Sequence, residues 1–187
     1  MPPAPMPTDQ PAGLTPPNPA HDRRFALTRA FLTASLPAPA RLLDVGGDNE
    51  MARRLRAEGY AVTNTDGDLD DHPEAASGEA DALTAFEILE HLVNPLGVLR
   101  AATAPRLFAT VPRRLWFASA YRNPHDPWDR HYHEFEDWQF DWLLDKAGWT
   151  VVRRERWISP PAALALGVRP LLRRVTPRWY AVEATRR

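Results

Sequence analysis

The 187-residue chain contains no cysteine. Disulfide staples, thiolate metal sites and a cysteine nucleophile are therefore excluded, and the composition fits a reducing, cytoplasmic setting. Lysine is nearly absent as well. Lys146 is the only one, so arginine carries almost all of the positive charge. No run of about 18 apolar residues occurs, so no membrane-spanning helix is expected. The N-terminus has neither the basic start nor the apolar stretch of a signal peptide. With 23 basic against 24 acidic residues, the net charge of −1 provides no global field to draw in nucleic acid or a membrane.

What charge there is falls unevenly. Carboxylates crowd the stretch from Asp66 to Glu90, which holds no arginine or lysine, whereas Arg153 to Arg187 is rich in arginine. A basic end of this kind reads first as a solvated face and only second as a surface for nucleic acid or anionic lipid. Proline is concentrated too. Pro2, Pro3, Pro5, Pro7, Pro11, Pro16, Pro17 and Pro19 crowd residues 1–20, a segment that can sustain neither a helix nor a central strand. A disordered tail followed by one domain over residues 21–187 is the expected organisation, since that length builds one sizeable core and not two.

Within the domain, apolar runs alternate with helical periodicity. Strands are expected at 41–45, 60–65, 82–86, 107–111, 149–154 and 178–185. Helices are expected at 21–36, 50–58, 94–104, 136–147 and 160–175, with a polar loop at 67–80 and an irregular, aromatic stretch at 113–134. Such alternation predicts an α/β fold of the Rossmann-like, doubly wound kind. The expected architecture is a mostly parallel sheet of about six strands with helices on both faces. Ligands of such folds bind beyond the carboxyl ends of the strands, which here means residues 44–50, 66–70, 86–91 and 112–135.

The first of these places is the most informative. Asp44-Val45-Gly46-Gly47-Asp48-Asn49-Glu50 joins a strand to a helix, and glycines at that turn let backbone approach a ligand closely. Asp66, 20 residues beyond Gly46, suits a carboxylate that accepts hydrogen bonds from ribose hydroxyls. A dinucleotide would set its pyrophosphate at the helix start, where Asp48 and Glu50 would repel it. A sulfonium-bearing nucleoside with an ammonium group meets no such repulsion. The charges thus favour S-adenosylmethionine over a nicotinamide cofactor.

RLLDVGGDNE, YAVTNTD and DALTAFEILEHLVNP, followed by LFATVP and HYHEFEDWQFDWLLDKAGWTVV, resemble, in order, the motifs of class I S-adenosylmethionine-dependent methyltransferases. The match is closest to the group with a Phe-Glu-x-Leu-Glu-His signature, and it spans about residues 41–157. The resemblance implies that Asp44, Gly46 and Gly47 shape the methionine end of the cofactor pocket. It implies that Asp66 binds the ribose and that Phe86 and Glu87 face the cofactor near the transferred methyl. Asp48, in the same loop as the two glycines, is expected among the cofactor-binding residues. Two departures stand out. Asp48 and Glu50 fall where the family loop has glycine, and residues 67–80 are too few for the family's usual helix and strand, so the sheet is expected to be trimmed there.

Methyl transfer from a sulfonium is an in-line displacement that depends mainly on alignment and exclusion of water. A hydroxyl or amine acceptor also has a proton to lose, and histidine is the common base. His133 is the first candidate and His131 the second, both in the aromatic stretch where a small-molecule acceptor would sit; a brace for the following helix is the competing role for His133. His125, Asp126, Asp129, His131 and His133 have metal-binding side chains, but their spacing matches no strong zinc pattern and no HExxH occurs, so no metal is expected. Nucleic acid and membrane are not expected as partners, and oligomeric state stays open. The competing reading is a non-catalytic binding module that kept the fold but not the glycine loop.

Overall fold

The computed structural model describes residues 19–158 and 167–187. Residues 1–18 of the predicted proline-rich tail lie outside the described residues, as does the first half of the helix expected over 160–175; residues 19 and 20, assigned to the tail, begin α1 instead. Six strands form one sheet: β1 (Arg41–Asp44), β2 (Ala61–Asn64), β3 (Ala82–Phe86), β4 (Arg106–Pro112), β5 (Trp149–Ile158) and β6 (Pro177–Arg186). Their spatial order is β2-β1-β3-β4-β6-β5. The first four run parallel, and β6 is antiparallel to both of its neighbours. The helices are α1 (Pro19–Thr33), α2 (Glu50–Ala57), α3 (Pro95–Ala101), α4 (Asp137–Ala147) and α5 (Val168–Val175).

The central strands are apolar on both faces, as a sheet covered on both sides requires. Side chains alternate across a strand, and two cores result. Leu42 of β1, Phe108 of β4 and Trp179 and Ala181 of β6 pack with Phe31, Met51 and Leu55 of α1 and α2. Leu43, Leu107, Ala109, Tyr180 and Val182 pack on the other face with Val98, Leu99, Phe140 and Leu144 of α3 and α4. The indole of Trp149, fully buried, donates to the Leu99 carbonyl at 2.9 Å, so its single polar atom is satisfied.

As expected, residues 67–80 supply no strand, only a 3₁₀ turn at Pro73–Ala76, and the sheet is trimmed there. One expectation needed adjustment: β5 runs four residues beyond the expected 149–154. Its outer half is polar because it is an edge strand whose arginines meet acids of α4: Arg154 pairs with Asp141 at 2.9 Å and Arg156 with Asp137 at 2.5 Å.

The order reverses between β1 and β3, since β2 lies on one side of β1 and β3 on the other. Their carboxyl ends therefore diverge and leave a crevice, the place where such sheets bind ligands.

Helix α1 closes one side of that crevice. It is anchored by Phe31, which meets Phe108 edge to face at 6.3 Å and Trp157 at 5.9 Å and lies beneath the Arg153 guanidinium at 3.9 Å. Phe31→Ala is expected to cost about 3–5 kcal/mol in urea-induced unfolding. A loss below about 1 kcal/mol would mean that α1 is not docked as described.

Candidate active site

The crevice is a cleft of about 720 Å³. The glycine turn forms its floor through Val45, Gly46 and Gly47, and the end of β3 forms one wall through Phe86, Glu87 and Ile88. Helix α1 contributes His21, Arg24 and Phe25, and the aromatic loop contributes Tyr121, Asp129 and His131.

The glycine turn is shaped by a buried carboxylate. Asp44, at the end of β1, accepts hydrogen bonds from Thr84 Oγ1 at 2.5 Å, Asn49 Nδ2 at 2.8 Å and Asn64 Nδ2 at 3.1 Å. Burial pushes its carboxyl up from the ordinary range, against the pull of those three donors. Asn64 also donates to the carbonyls of Gly46 and Gly47, each at 3.1 Å. Thr65 Oγ1 accepts from the Gly46 N–H at 2.7 Å. Asn49 caps α2 through the Ala52 N–H at 3.0 Å. None of Asn49, Asn64, Thr65 or Thr84 was singled out from the sequence. Short polar residues at strand ends were the available signal.

Asp48 and Asp66 are not brought to the cleft. Both oxygens of Asp48 are taken by arginines of α2, Arg53 at 2.7 Å and Arg56 at 2.5 Å. Those partners hold its carboxyl below the ordinary range, Arg56 first. Asp66 is exposed and accepts from the Gly67 N–H at 2.8 Å. Phe86 and Glu87 line the cleft. Glu87 has a positive φ of 55°, uncommon outside glycine, at the point where β3 ends.

Of the two predicted histidines, only His131 reaches the cleft. The chain bends at Tyr132, so the two rings part company. His133 stacks on Phe135 at 5.5 Å, and its Nε2 lies 3.3 Å from the Val93 carbonyl. The His131 imidazole is pushed down to about 4 by burial and then by the neighbouring His91, so it is neutral at pH 7.

Two acids on the cleft wall carry the main electrostatic feature. Glu87 pairs with Arg24 at 3.1 Å, yet its Oε1 is buried and has no hydrogen-bond partner. Glu90 is 1% exposed, and its Oε2 is likewise unpartnered. Burial pushes both carboxyls up, Glu90 further because Glu87 stands beside it. Buried acceptors without donors are uncommon, and both residues line the cleft.

A family model described as the methyltransferase domain matches residues 20–154. The chain belongs to the methyltransferase-domain family. Solved structures similar to this methyltransferase include an S-adenosylmethionine-dependent methyltransferase from Mesorhizobium loti. It shows 13% identity and a TM-score of 0.56, over 86% of this chain and 96% of that one. A SAM-dependent methyltransferase from Archaeoglobus fulgidus shows 15% identity and a TM-score of 0.53, over 87% and 94%. The [4+2]-cyclase SpnF shows 18% identity and a TM-score of 0.57, over 88% and 81%. At such identities the likeness is one of fold, and the cyclase shows that the fold hosts other chemistry. No curated protein matches the sequence. Among the described residues, no helix is long and apolar enough to cross a membrane.

S-adenosylmethionine is the methyltransferase's cofactor, and the cleft fits it. The unpartnered oxygens of Glu87 and Glu90 suit a cationic ligand, and the space above Gly47 is open. Gly46 is needed for a different reason: its φ is 103°. Gly46→Ala is expected to cost about 1–3 kcal/mol of stability through backbone strain. Gly47→Ala is expected to stay within about 0.5 kcal/mol of the parent. Equal losses in chemical denaturation would remove the conformational explanation of the turn.

Proposed function

We propose that the enzyme methylates a small-molecule acceptor bound in the cleft between the glycine turn and the aromatic loop. The observation that carries this reading is the pair of buried acids, Glu87 and Glu90, on the wall of a cleft that begins at a glycine turn. A sulfonium centre brings positive charge to such a wall, whereas a pyrophosphate would be repelled.

S-adenosylmethionine supplies an electrophilic methyl group on a good leaving group. The protein's part is binding, alignment and exclusion of water. Gly46 and Gly47 present backbone to the methionine end, and Asp44 and Asn64 hold that backbone in place. Asp66, two residues beyond β2, is proposed to reach the ribose, whereas Asp48 stays outside the cleft, paired to α2. Phe86 and Glu87 flank the reacting carbon. Tyr121, Pro112 and Trp179 narrow the acceptor side. His131 offers a neutral imidazole lone pair there. His133, pinned between Phe135 and Val93, supports the loop that carries His131.

A small acceptor is favoured over nucleic acid by the fate of the arginine-rich end. Arg153 pairs with Glu183 at 3.1 Å and Arg187 with Asp145 at 2.8 Å, in addition to the α4 pairs on β5. Arg153, Arg154, Arg156 and Arg187, four of the nine arginines in the run, are thus matched by acids, which leaves less of it to form a phosphate-binding stripe. The departures in the glycine loop, which raise the reading of a non-catalytic module, are accommodated likewise. Asp48 is neutralised by Arg53 and Arg56, and Glu50 by Arg54 at 2.5 Å.

The test is calorimetric titration with S-adenosylhomocysteine, with NADH as control. Micromolar binding of the homocysteine product and none of NADH is expected. Asp66→Ala should weaken binding by about tenfold or more, as loss of a charged hydrogen-bond partner does, and Glu87→Gln should weaken binding of S-adenosylmethionine more than that of S-adenosylhomocysteine, which lacks the sulfonium charge. Well-folded protein that binds no S-adenosylhomocysteine would leave the non-catalytic module as the better reading.

A further inference from the structure

At the end of the cleft away from the glycine turn, the fold gathers one carboxylate and two imidazoles. Glu90 and His91 lie on the 3₁₀ turn Leu89–His91, and His131 comes from the aromatic loop. The two segments are clipped together by backbone. The N–H groups of Tyr132 and His133 both donate to the Glu90 carbonyl, at 2.8 and 3.2 Å.

One nitrogen or oxygen from each of Glu90, His91 and His131 lies within 4.8 Å of the others. The two rings meet edge to face at 4.6 Å. His91 Nδ1 is 3.1 Å from the Arg130 carbonyl, which can only accept, so that nitrogen carries the proton. In the neutral ring Nε2 is then a bare lone pair, 3.8 Å from Glu90 Oε1. Glu90 Oε2, fully buried, has no donor at all. Glu90 Oε2, which has no donor, and the His91 Nε2 lone pair thus converge with a ring nitrogen of His131, a donor set that suits a cation.

We propose that Glu90, His91 and His131 bind a divalent transition-metal ion of the zinc, cobalt and manganese class. Two imidazoles and a carboxylate are the donor set such ions take, and three protein ligands leave a position open, as catalytic sites do. The Arg130 carbonyl on His91 Nδ1 is the outer contact that fixes a ligand ring's tautomer. On the far side, the Tyr121 ring lies 4.4 Å from that of His131, and the Tyr121 hydroxyl is held by Asp129, itself bound by Asn123 Nδ2 at 2.8 Å. Ligand atoms about 2.1 Å from an ion sit roughly 3–4 Å apart, so modest tightening completes the site. All three residues line the cleft. An acceptor hydroxyl taking the open position would be aligned and acidified there; with the His131 lone pair on the ion, its proton would pass to water as the oxygen–methyl bond forms, the sulfur–methyl bond breaks and S-adenosylhomocysteine leaves. That last role rests on the methyl-transfer reading; ion binding does not.

The experiment uses the full chain, stripped with EDTA and titrated with Co²⁺ by calorimetry and visible absorption, with Zn²⁺ as competitor. One Co²⁺ per chain is expected, displaced by Zn²⁺, with d–d bands of a low-symmetry nitrogen–oxygen site. His91→Ala and His131→Ala should each bind about tenfold more weakly or worse, while His72→Ala and His125→Ala match the parent. Circular dichroism confirms folding, and the half-exposed His131 makes its variant the decisive one should Glu90→Gln or His91→Ala unfold. Folded parent protein that takes up neither ion stoichiometrically, or uptake indifferent to His131→Ala, overturns the assignment. Binding of S-adenosylhomocysteine is measured on the same samples. Co²⁺ uptake by protein that ignores S-adenosylhomocysteine supports the ion site and removes only the methyl-transfer reading.

Discussion

The Asp44 carboxylate is the constraint on which the cleft depends. One buried anion at the end of β1 gathers a hydroxyl from β3, an amide from β2 and an amide from the glycine turn. Each of these groups belongs to a different segment, and each must be a donor. The cost of burying the charge is offset only when all three are in place. Moving any of the three strand ends would leave the anion with too few partners. The geometry of the crevice is therefore set from inside by polar satisfaction, and the apolar cores hold the strands at the spacing that makes this possible.

The opposite wall follows a different logic. The aromatic loop over residues 113–134 has little regular structure, so its position comes from contacts at its ends. Its exit is fixed by the two N–H bonds to the Glu90 carbonyl, by the His91–Arg130 link and by the bridge between Arg113 and Phe135. The middle carries exposed aromatics such as Trp116 and Trp128. A rigid floor with a wall anchored only at its ends suits a site that must admit an acceptor and then exclude water.

Much of the fold was legible in the sequence, for a physical reason. β1, β3 and β4 are buried on both faces, so Leu42-Leu43, Ala82–Phe86 and Leu107–Val111 read as apolar runs broken only by Thr84 and Thr110. The glycine turn and the Phe86–Glu87 strand end were legible because backbone conformation and chemistry coincide there. The outer half of β5 was not, since Arg153–Arg156 are polar in the sequence and become strand only by pairing with β6 and the acids of α4. Nor was the split between His131 and His133. An extended chain would put both on one face, but a bend at Tyr132 sends one to the cleft and the other onto Phe135. Asp66 and Asp48 were named from loop position, which fixes an address on the chain but not where a side chain finds its partners. The convergence of Glu90 and His91 with His131 joins positions about 40 apart, and no local spacing encodes such a meeting.

The charges in the cleft explain why α1 belongs to the site and not merely to the core. Glu87 stands close enough to Glu90 to resist its ionisation; Glu90 is buried and Glu87 mostly covered. A wall of two buried anions would be hard to maintain in the empty cleft. Arg24 of α1 meets this need by pairing with Glu87, with both side chains mostly covered. The guanidinium neutralises one acid and leaves the other, together with one oxygen of the first, for a ligand. The helix is thus a counterion carrier docked by Phe31, and the same arginine limits how much positive charge the cleft attracts. A ligand with a single cationic centre beside Glu87, and a cation beside Glu90, would complete the balance that Arg24 begins.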